Sequence, residues 1–402
     1  MKTTILSFLG CVSLLAAVSE RPALLIVLVI DWLRPDSITP EVMPNLDRLK
    51  GAGVWYAHSH SVFPTVTRVN TASISTGMLP SRHGIASNSV YLPAISKSVL
   101  SNGDYRNLLS LGEANGGRVV GPKTLHEYLQ AASINYVAVS SGSTGNALLL
   151  NPTAPHGNGR LINGGFENGA RVAFPDSLNA ALLSKFGAVK GGEDGDQALL
   201  WIERVLREYV LETMNPQVIV DWMGRSDSAQ HGYGVGSPEA LAALRLIDGQ
   251  IGLLLERVRH MNLEDRTDII VTCDHGFDYE PQADLLAPLR DSGFADDVVM
   301  DNEGGSTLLA VGPDFAQGKV LELPAGNQDI APTVLALEGL ALPQTLDGRV
   351  LSEAFRETSK PPVKVSSRRF RVTTGDFGAE IDVSYAGSSK YLNQARRCET
   401  RQ

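Results

Sequence analysis

Cysteine is nearly absent from this chain. Of three in 402 residues, Cys11 lies in an apolar N-terminal stretch, so the remainder can form at most one disulfide, Cys273 to Cys398. That excludes a disulfide-stapled scaffold and leaves Cys273 the plain role of a small buried hydrophobe at the end of a strand. Positive charge is also in deficit. A formal net charge of −9 argues against binding a nucleic-acid duplex through bulk electrostatics. No apolar run suits a transmembrane segment. Lys2 followed by T-T-I-L-S-F-L-G-C-V-S-L-L-A-A-V-S reads as a secretory leader over residues 1–19, too short and wrongly flanked to span a bilayer. A secreted or periplasmic protein is therefore expected. No internal repeat is evident.

What is present is a regular alternation of strand and helix patterns, the signature of an α/β protein with a doubly wound, mostly parallel sheet flanked by helices. A continuous apolar run at 23–30 reads as a buried parallel strand, and further strands are expected around 217–223 and about 268–273, the latter buried. Helices are expected at 43–51, 67–76, 123–132, 194–213, 237–259 and 328–339. The 237–259 helix has Ser237 as N-cap, Pro238 in its first turn and Leu241, Leu244, Ile247, Ile251, Leu254 and Val258 along one face. Two stretches, 89–122 and 142–193, break this pattern and are expected to form a cap inserted in a catalytic domain over 20–355. Residues 360–402 read as a β-rich extension with a hairpin or edge strand near 377–386.

The most informative stretch is F-P-T-V-T-R-V-N, residues 63–70. It sets Thr65 and Thr67 at the start of an expected helix, where unpaired N–H groups and the helix dipole favour an anion. A hydroxyl needs a base or a metal to become a nucleophile at neutral pH. Candidate activators end three of the strands: Asp31 after the first, Asp227 and His231 four residues apart after the second, and Asp274 and His275 after the third. Ligands of open α/β sheets bind at that edge. Two imidazoles and several carboxylates there fit a divalent cation such as zinc.

These segments, with T-G-M-L-P-S-R-H-G-I-A-S-N (76–88), N-Q-D-I-A-P-T-V-L-A-L-E-G-L (327–340) and D-G-R-V-L (347–351), resemble the nucleotide pyrophosphatase/phosphodiesterase family of the alkaline phosphatase superfamily. The resemblance spans about residues 23–355. It implies Thr67 as nucleophile and Asn88 as donor to a nonbridging phosphoryl oxygen. It further implies two divalent metal ions, zinc by preference: Asp31, Thr67, Asp274 and His275 at one site, Asp227 and His231 at the other. The chemistry implied is hydrolysis of a phosphodiester or pyrophosphate bond, of a nucleotide by preference, through a covalent phosphothreonine. Phosphomonoesters and phosphonates are the alternative substrates, and a non-catalytic protein of the same fold the third reading. Tyr91 is a candidate to stack on a nucleobase.

The chain departs from the family in one respect. Where a further histidine is expected before the 306–313 strand, it has V-V-M-D-N-E-G-G, and no histidine follows His275. Asp301, Asn302 and Glu303 are the candidate substitutes. No Cys-x-Pro-x-Arg or Ser-x-Pro-x-Arg motif of the sulfatase kind is present.

Overall fold

Three fully buried strands form the centre of the sheet. In the computed structural model, which describes residues 21–164, 171, 173–189, 195–276, 306–358, 361–374 and 377–398, β1 (Leu24–Ile30) pairs in parallel with two later strands. The leader expected at 1–19 and the candidate ligands Asp301, Asn302 and Glu303 lie outside the described residues.

The other strands of this sheet are β2 (Val54–His60), β5 (Tyr136–Ser140), β6 (Arg160–Asn163), β7 (Ala173–Phe174), β8 (Val218–Met223), β9 (Thr267–Thr272), β10 (Leu308–Val311) and β11 (Lys319–Gly326). β3 (Ser89–Val90) and β4 (Leu100–Ser101) make a separate two-stranded ribbon. The nine strands run in the order β11-β2-β10-β9-β1-β8-β5-β6-β7. β10 is antiparallel to both its neighbours and β7 is antiparallel to β6. The remaining pairings are parallel.

Every residue of β1, β8 and β9 is buried because helices cover both faces. Alternation along β1 sends Leu25, Val27 and Val29 into one core and Leu24, Ile26, Leu28 and Ile30 into the other. Each such side chain contributes roughly 1.5–3 kcal/mol by leaving water, which fixes the register of the strands that lead to Asp31, to Asp274 and to the helix bearing Asp227.

The helices fall where the 3.6-residue pattern puts them, at Pro44–Ala52, Thr67–Thr76, Leu125–Ala131, Pro238–His260 and Ile330–Leu337. The 194–213 helix is continuous in sequence but changes form. Asp196–Val205 is α-helical and Leu206–Met214 is a π-helix. In segment 142–193 the described residues include the buried helix Thr144–Leu150 and strand β6, which joins the central sheet beside β5.

Cys273 is a free, buried thiol, so the disulfide to Cys398 considered from the sequence is not formed. Its Sγ accepts the Thr307 N–H at 3.1 Å inside the core. The C-terminal segment is a separate antiparallel sheet of β12 (Val365–Thr374), β13 (Phe377–Ala386) and β14 (Ser389–Cys398), with β13 central rather than at an edge.

Candidate active site

Parallel strands β1, β8, β9 and β5 all end at the same side of the sheet, and the candidate residues are delivered there. The Thr67–Thr76 helix starts at that edge. Its N-cap is Val66, with extended backbone, and Thr67 is the first helical residue. The Thr67 hydroxyl is therefore not used as a cap. Instead Thr67 Oγ1 lies 3.2 Å from His275 Nε2.

His275 is the centre of the cluster. Its Nδ1 is 3.2 Å from the Gly276 carbonyl, which can only accept, so Nδ1 carries a proton, and in the neutral ring Nε2 presents a lone pair. That Nε2 is 3.2 Å from Asp274 Oδ2 and 3.9 Å from Asp31 Oδ1. Among the described residues neither of these two buried carboxylate oxygens accepts a hydrogen bond.

The opposite oxygens are held by the frame. Asp31 Oδ2 accepts Trp222 Nε1–H at 3.1 Å, and Asp274 Oδ1 accepts the Trp32 backbone N–H at 3.2 Å. Two carboxylates thus each turn one unsatisfied oxygen towards an imidazole lone pair. This arrangement is repulsive without a cation and fits one well. Burial, and the neighbouring Asp274 and Asp227, push the Asp31 carboxyl well above the usual range. A divalent cation would reverse that.

Asp227 and His231 lie on the helix Arg225–Tyr233, one turn apart, with His231 Nε2 3.5 Å from Asp227 Oδ1. This pair is more open: the His231 side chain is 60% exposed, against 3% for His275. The two groups adjoin, because ligand atoms of Asp31, Asp227 and His275 all lie within 4.8 Å of one another. Burial raises the Asp227 carboxyl, while the His231 and His275 imidazoles, when protonated, pull it down.

Asn88 is half-buried beside the helix start. The Arg68 backbone N–H reaches its side chain at 3.1 Å, which assigns Oδ1 to that bond and leaves the amide N–H groups to donate elsewhere. Tyr91 is 57% exposed.

Several residues the sequence reading did not single out complete the frame. Trp32, at φ 64°, stacks on His231 and meets His275 edge-on. Asn70, fully buried, ties both backbone groups of Val62 and the Val66 carbonyl across the first turn of the Thr67–Thr76 helix. Asn327 joins that loop to the third strand, donating to Asn70 Oδ1 at 3.0 Å and to the Asp274 carbonyl at 2.8 Å while accepting from Thr272 Oγ1 at 3.0 Å. The only sequence signal for them was adjacency: Trp32 to Asp31, Asn70 to the threonine motif. His83, in the P-S-R-H-G turn, bonds Ser73 Oγ and the Ile85 N–H, and burial lowers its pKa to about 4.

The family profile of type I phosphodiesterase / nucleotide pyrophosphatase matches residues 25–329. The chain belongs to this family. Its relatives include rat ectonucleotide pyrophosphatase/phosphodiesterase family member 3, 25% identical over 241 residues, which cover 59% of this chain and 22% of that protein. Venom phosphodiesterase 2 of Crotalus adamanteus is 24% identical over 238 residues, covering 59% of this chain and 24% of the venom protein. The chain thus spans less than a quarter of the length of these relatives. Among solved structures, murine ectonucleotide pyrophosphatase/phosphodiesterase 5, an inactive variant in complex with AMP, superposes with a TM-score of 0.53 at 16% identity, covering 81% of this chain and 96% of that one. The shared architecture is the alkaline-phosphatase-like α/β fold. Among the described residues no helix is long and apolar enough to cross a membrane.

Proposed function

We propose that this family member is a metal-dependent hydrolase of phosphodiester or pyrophosphate bonds in nucleotides, working through a phosphothreonine at Thr67. The observation that carries the reading is the set of unsatisfied oxygens, Asp31 Oδ1 and Asp274 Oδ2, facing the His275 Nε2 lone pair with the Thr67 hydroxyl 3.2 Å away. In this reading Asp31, Asp274, His275 and Thr67 would hold one divalent cation, and Asp227 with His231 a second. The mixed nitrogen and oxygen donors favour zinc. Bound there, such cations would offset phosphoryl charge and ease deprotonation of a hydroxyl and of water.

Thr67, at the mouth of a helix N-terminus, attacks phosphorus while the backbone dipole favours the anion. Asn88, its Oδ1 tied to Arg68, keeps its amide free to donate to a nonbridging oxygen as charge builds. Trp32 and Trp222 fix the carboxylates, and Asn327 fixes the distance between the nucleophile loop and the third strand. The AMP held by the murine neighbour supports a nucleotide substrate. The leader-like residues 1–19, and relatives described as ectonucleotide and venom enzymes, support action outside the cytosol.

The test is turnover of an aryl ester of a nucleoside monophosphate by protein supplied with zinc, with acid-quench trapping of phosphate on the protein. Turnover with label on Thr67, both lost in Thr67→Ala, is expected. Inertness towards every phosphate ester with zinc, manganese and magnesium would reject the reading.

A further inference from the structure

Arg68 follows Thr67 directly, and among the described residues it has no carboxylate partner within ion-pair distance. Its Nη2 donates to Ser143 Oγ at 2.7 Å, and its Nε is buried with no hydrogen-bond partner among the described residues. Ser143 caps the helix that follows β5, so the guanidinium lies at the catalytic edge of the sheet. Space for it is built in. A Cβ on Gly103 would stand 3.0 Å from Nη2. The Arg68 backbone N–H meanwhile orients Asn88, so one residue carries both the anchor of the oxygen-holding amide and a cation beside it. A half-buried guanidinium left without a counter-anion is costly, and its planar donors match phosphoryl oxygens.

We infer that Arg68 is a specificity-determining residue that grips the additional anionic oxygen of a terminal phosphoryl group, so that the site also hydrolyses phosphomonoesters. The inference rests on the hydrolase reading above and concerns the charge of its substrate. A diester presents one negative charge at phosphorus and a monoester dianion presents two, so a cation here favours the second more. The reaction balances as an ordinary transfer. The Thr67 Oγ–P bond forms as the ester P–O bond breaks and the alcohol departs with a proton; water then displaces Thr67 and releases inorganic phosphate.

The experiment compares p-nitrophenyl phosphate with methyl p-nitrophenyl phosphate, which share a leaving group, on wild type, Arg68→Met and Arg68→Lys. Losing a charge-assisted contact should lower kcat/KM for the monoester about 10–100-fold and for the diester by no more than about threefold, with Arg68→Lys between. Binding of inorganic phosphate to the zinc-loaded protein, measured by calorimetry, should weaken about tenfold or more in Arg68→Met. Equal losses on both esters, or unchanged phosphate affinity, would overturn the role. Should Arg68→Met not fold, Arg68→Lys carries the same comparison, with the loss confined to the monoester. A wild type active on the diester alone, or inert on both while it turns over the aryl ester of a nucleoside monophosphate, overturns this inference only; inertness on all three overturns the hydrolase reading with it.

Discussion

Trp32 stacks on His231 with ring centroids 4.2 Å apart and planes inclined at 26°, and the same indole meets His275 edge-on at 5.9 Å. One buried ring therefore braces an imidazole from each of the two neighbouring groups, while its backbone N–H holds Asp274 Oδ1. Trp32→Leu is expected to weaken zinc binding about 10–100-fold, the scale of losing an outer support, as measured by competition with a chromogenic chelator. The more exposed His231 should be the more affected, so the weaker of two binding phases should move most. Unchanged affinity in both phases would show that the indole only fills space.

Thr67→Ala should remove turnover while leaving the fold and most of the metal content in place, since Asp31, Asp274 and His275 remain. A loss of at least about 10³-fold in kcat is expected for a covalent nucleophile. Metal analysis and steady-state rates on the same sample decide it, and activity within tenfold of wild type would remove Thr67 from the mechanism.

For Asn88, the bond from Arg68 to Oδ1 leaves only the amide N–H groups for substrate. Asn88→Ala should lower kcat roughly 10²-fold, as loss of one donor to developing negative charge does. A raised KM at constant kcat would instead mark Asn88 as a binding contact.

Asn327 makes a more exacting case, because it touches neither the reacting atoms nor the metal-facing oxygens. Asn327→Asp keeps the shape but loses the donor to the Asp274 carbonyl and to Asn70 Oδ1. The expected result is a kcat lowered about tenfold or more by misplacement of the nucleophile loop, with zinc affinity within about threefold of wild type. If affinity and kcat fall together, the residue serves the third strand alone.

Away from the site, Glu203 and Asp221 are buried together, with Arg207 Nη1 3.6 Å from Glu203 Oε2. Burial raises both carboxyls, Glu203 to about 7, against the pull of Arg207. A raised acid pKa in the folded state means the folded protein binds more protons than the unfolded one between pH 4.5 and 7. The stabilising contribution is full below the unfolded pKa and is lost as pH rises through 7. Glu203→Gln should therefore flatten the decline in melting temperature between pH 5 and 7.5. A decline unchanged in the variant would place its origin elsewhere.

The parts of this site legible in the sequence are those fixed by local pattern. Asp31 and Asp274 each end an apolar run, and a run of that kind becomes a buried parallel strand whose end is the ligand edge. Asp227 and His231 share a helical turn, so spacing alone brought them together. The supporting residues depend instead on contacts between distant segments. Asn327 meets Asp274 across 53 positions and Asn70 across 257, and no periodicity encodes either meeting. The short strand β6 was hidden for a different reason: four residues flanked by glycine-rich sequence carry too little alternation to announce a strand. Arg68 stood in the motif from the outset, but its want of a counter-ion among the described residues is a property of the folded surroundings.

The C-terminal sheet has a consequence for the order in which the molecule becomes complete. Asp329, two residues beyond Asn327, accepts hydrogen bonds from the Gly326 N–H, the Arg349 N–H and the Tyr391 hydroxyl, and Tyr391 also receives Arg349 Nε–H. Gln328 donates to the Lys390 carbonyl from the same turn. Without β14 the Asp329 carboxylate would keep two donors in place of three, and the turn bearing Asn327 would lose its outer clamp. Contacts this remote along the chain close late. The turn that bears Asn327 thus receives its outermost hydrogen bonds from a strand that follows both Thr67 and His275 in the chain.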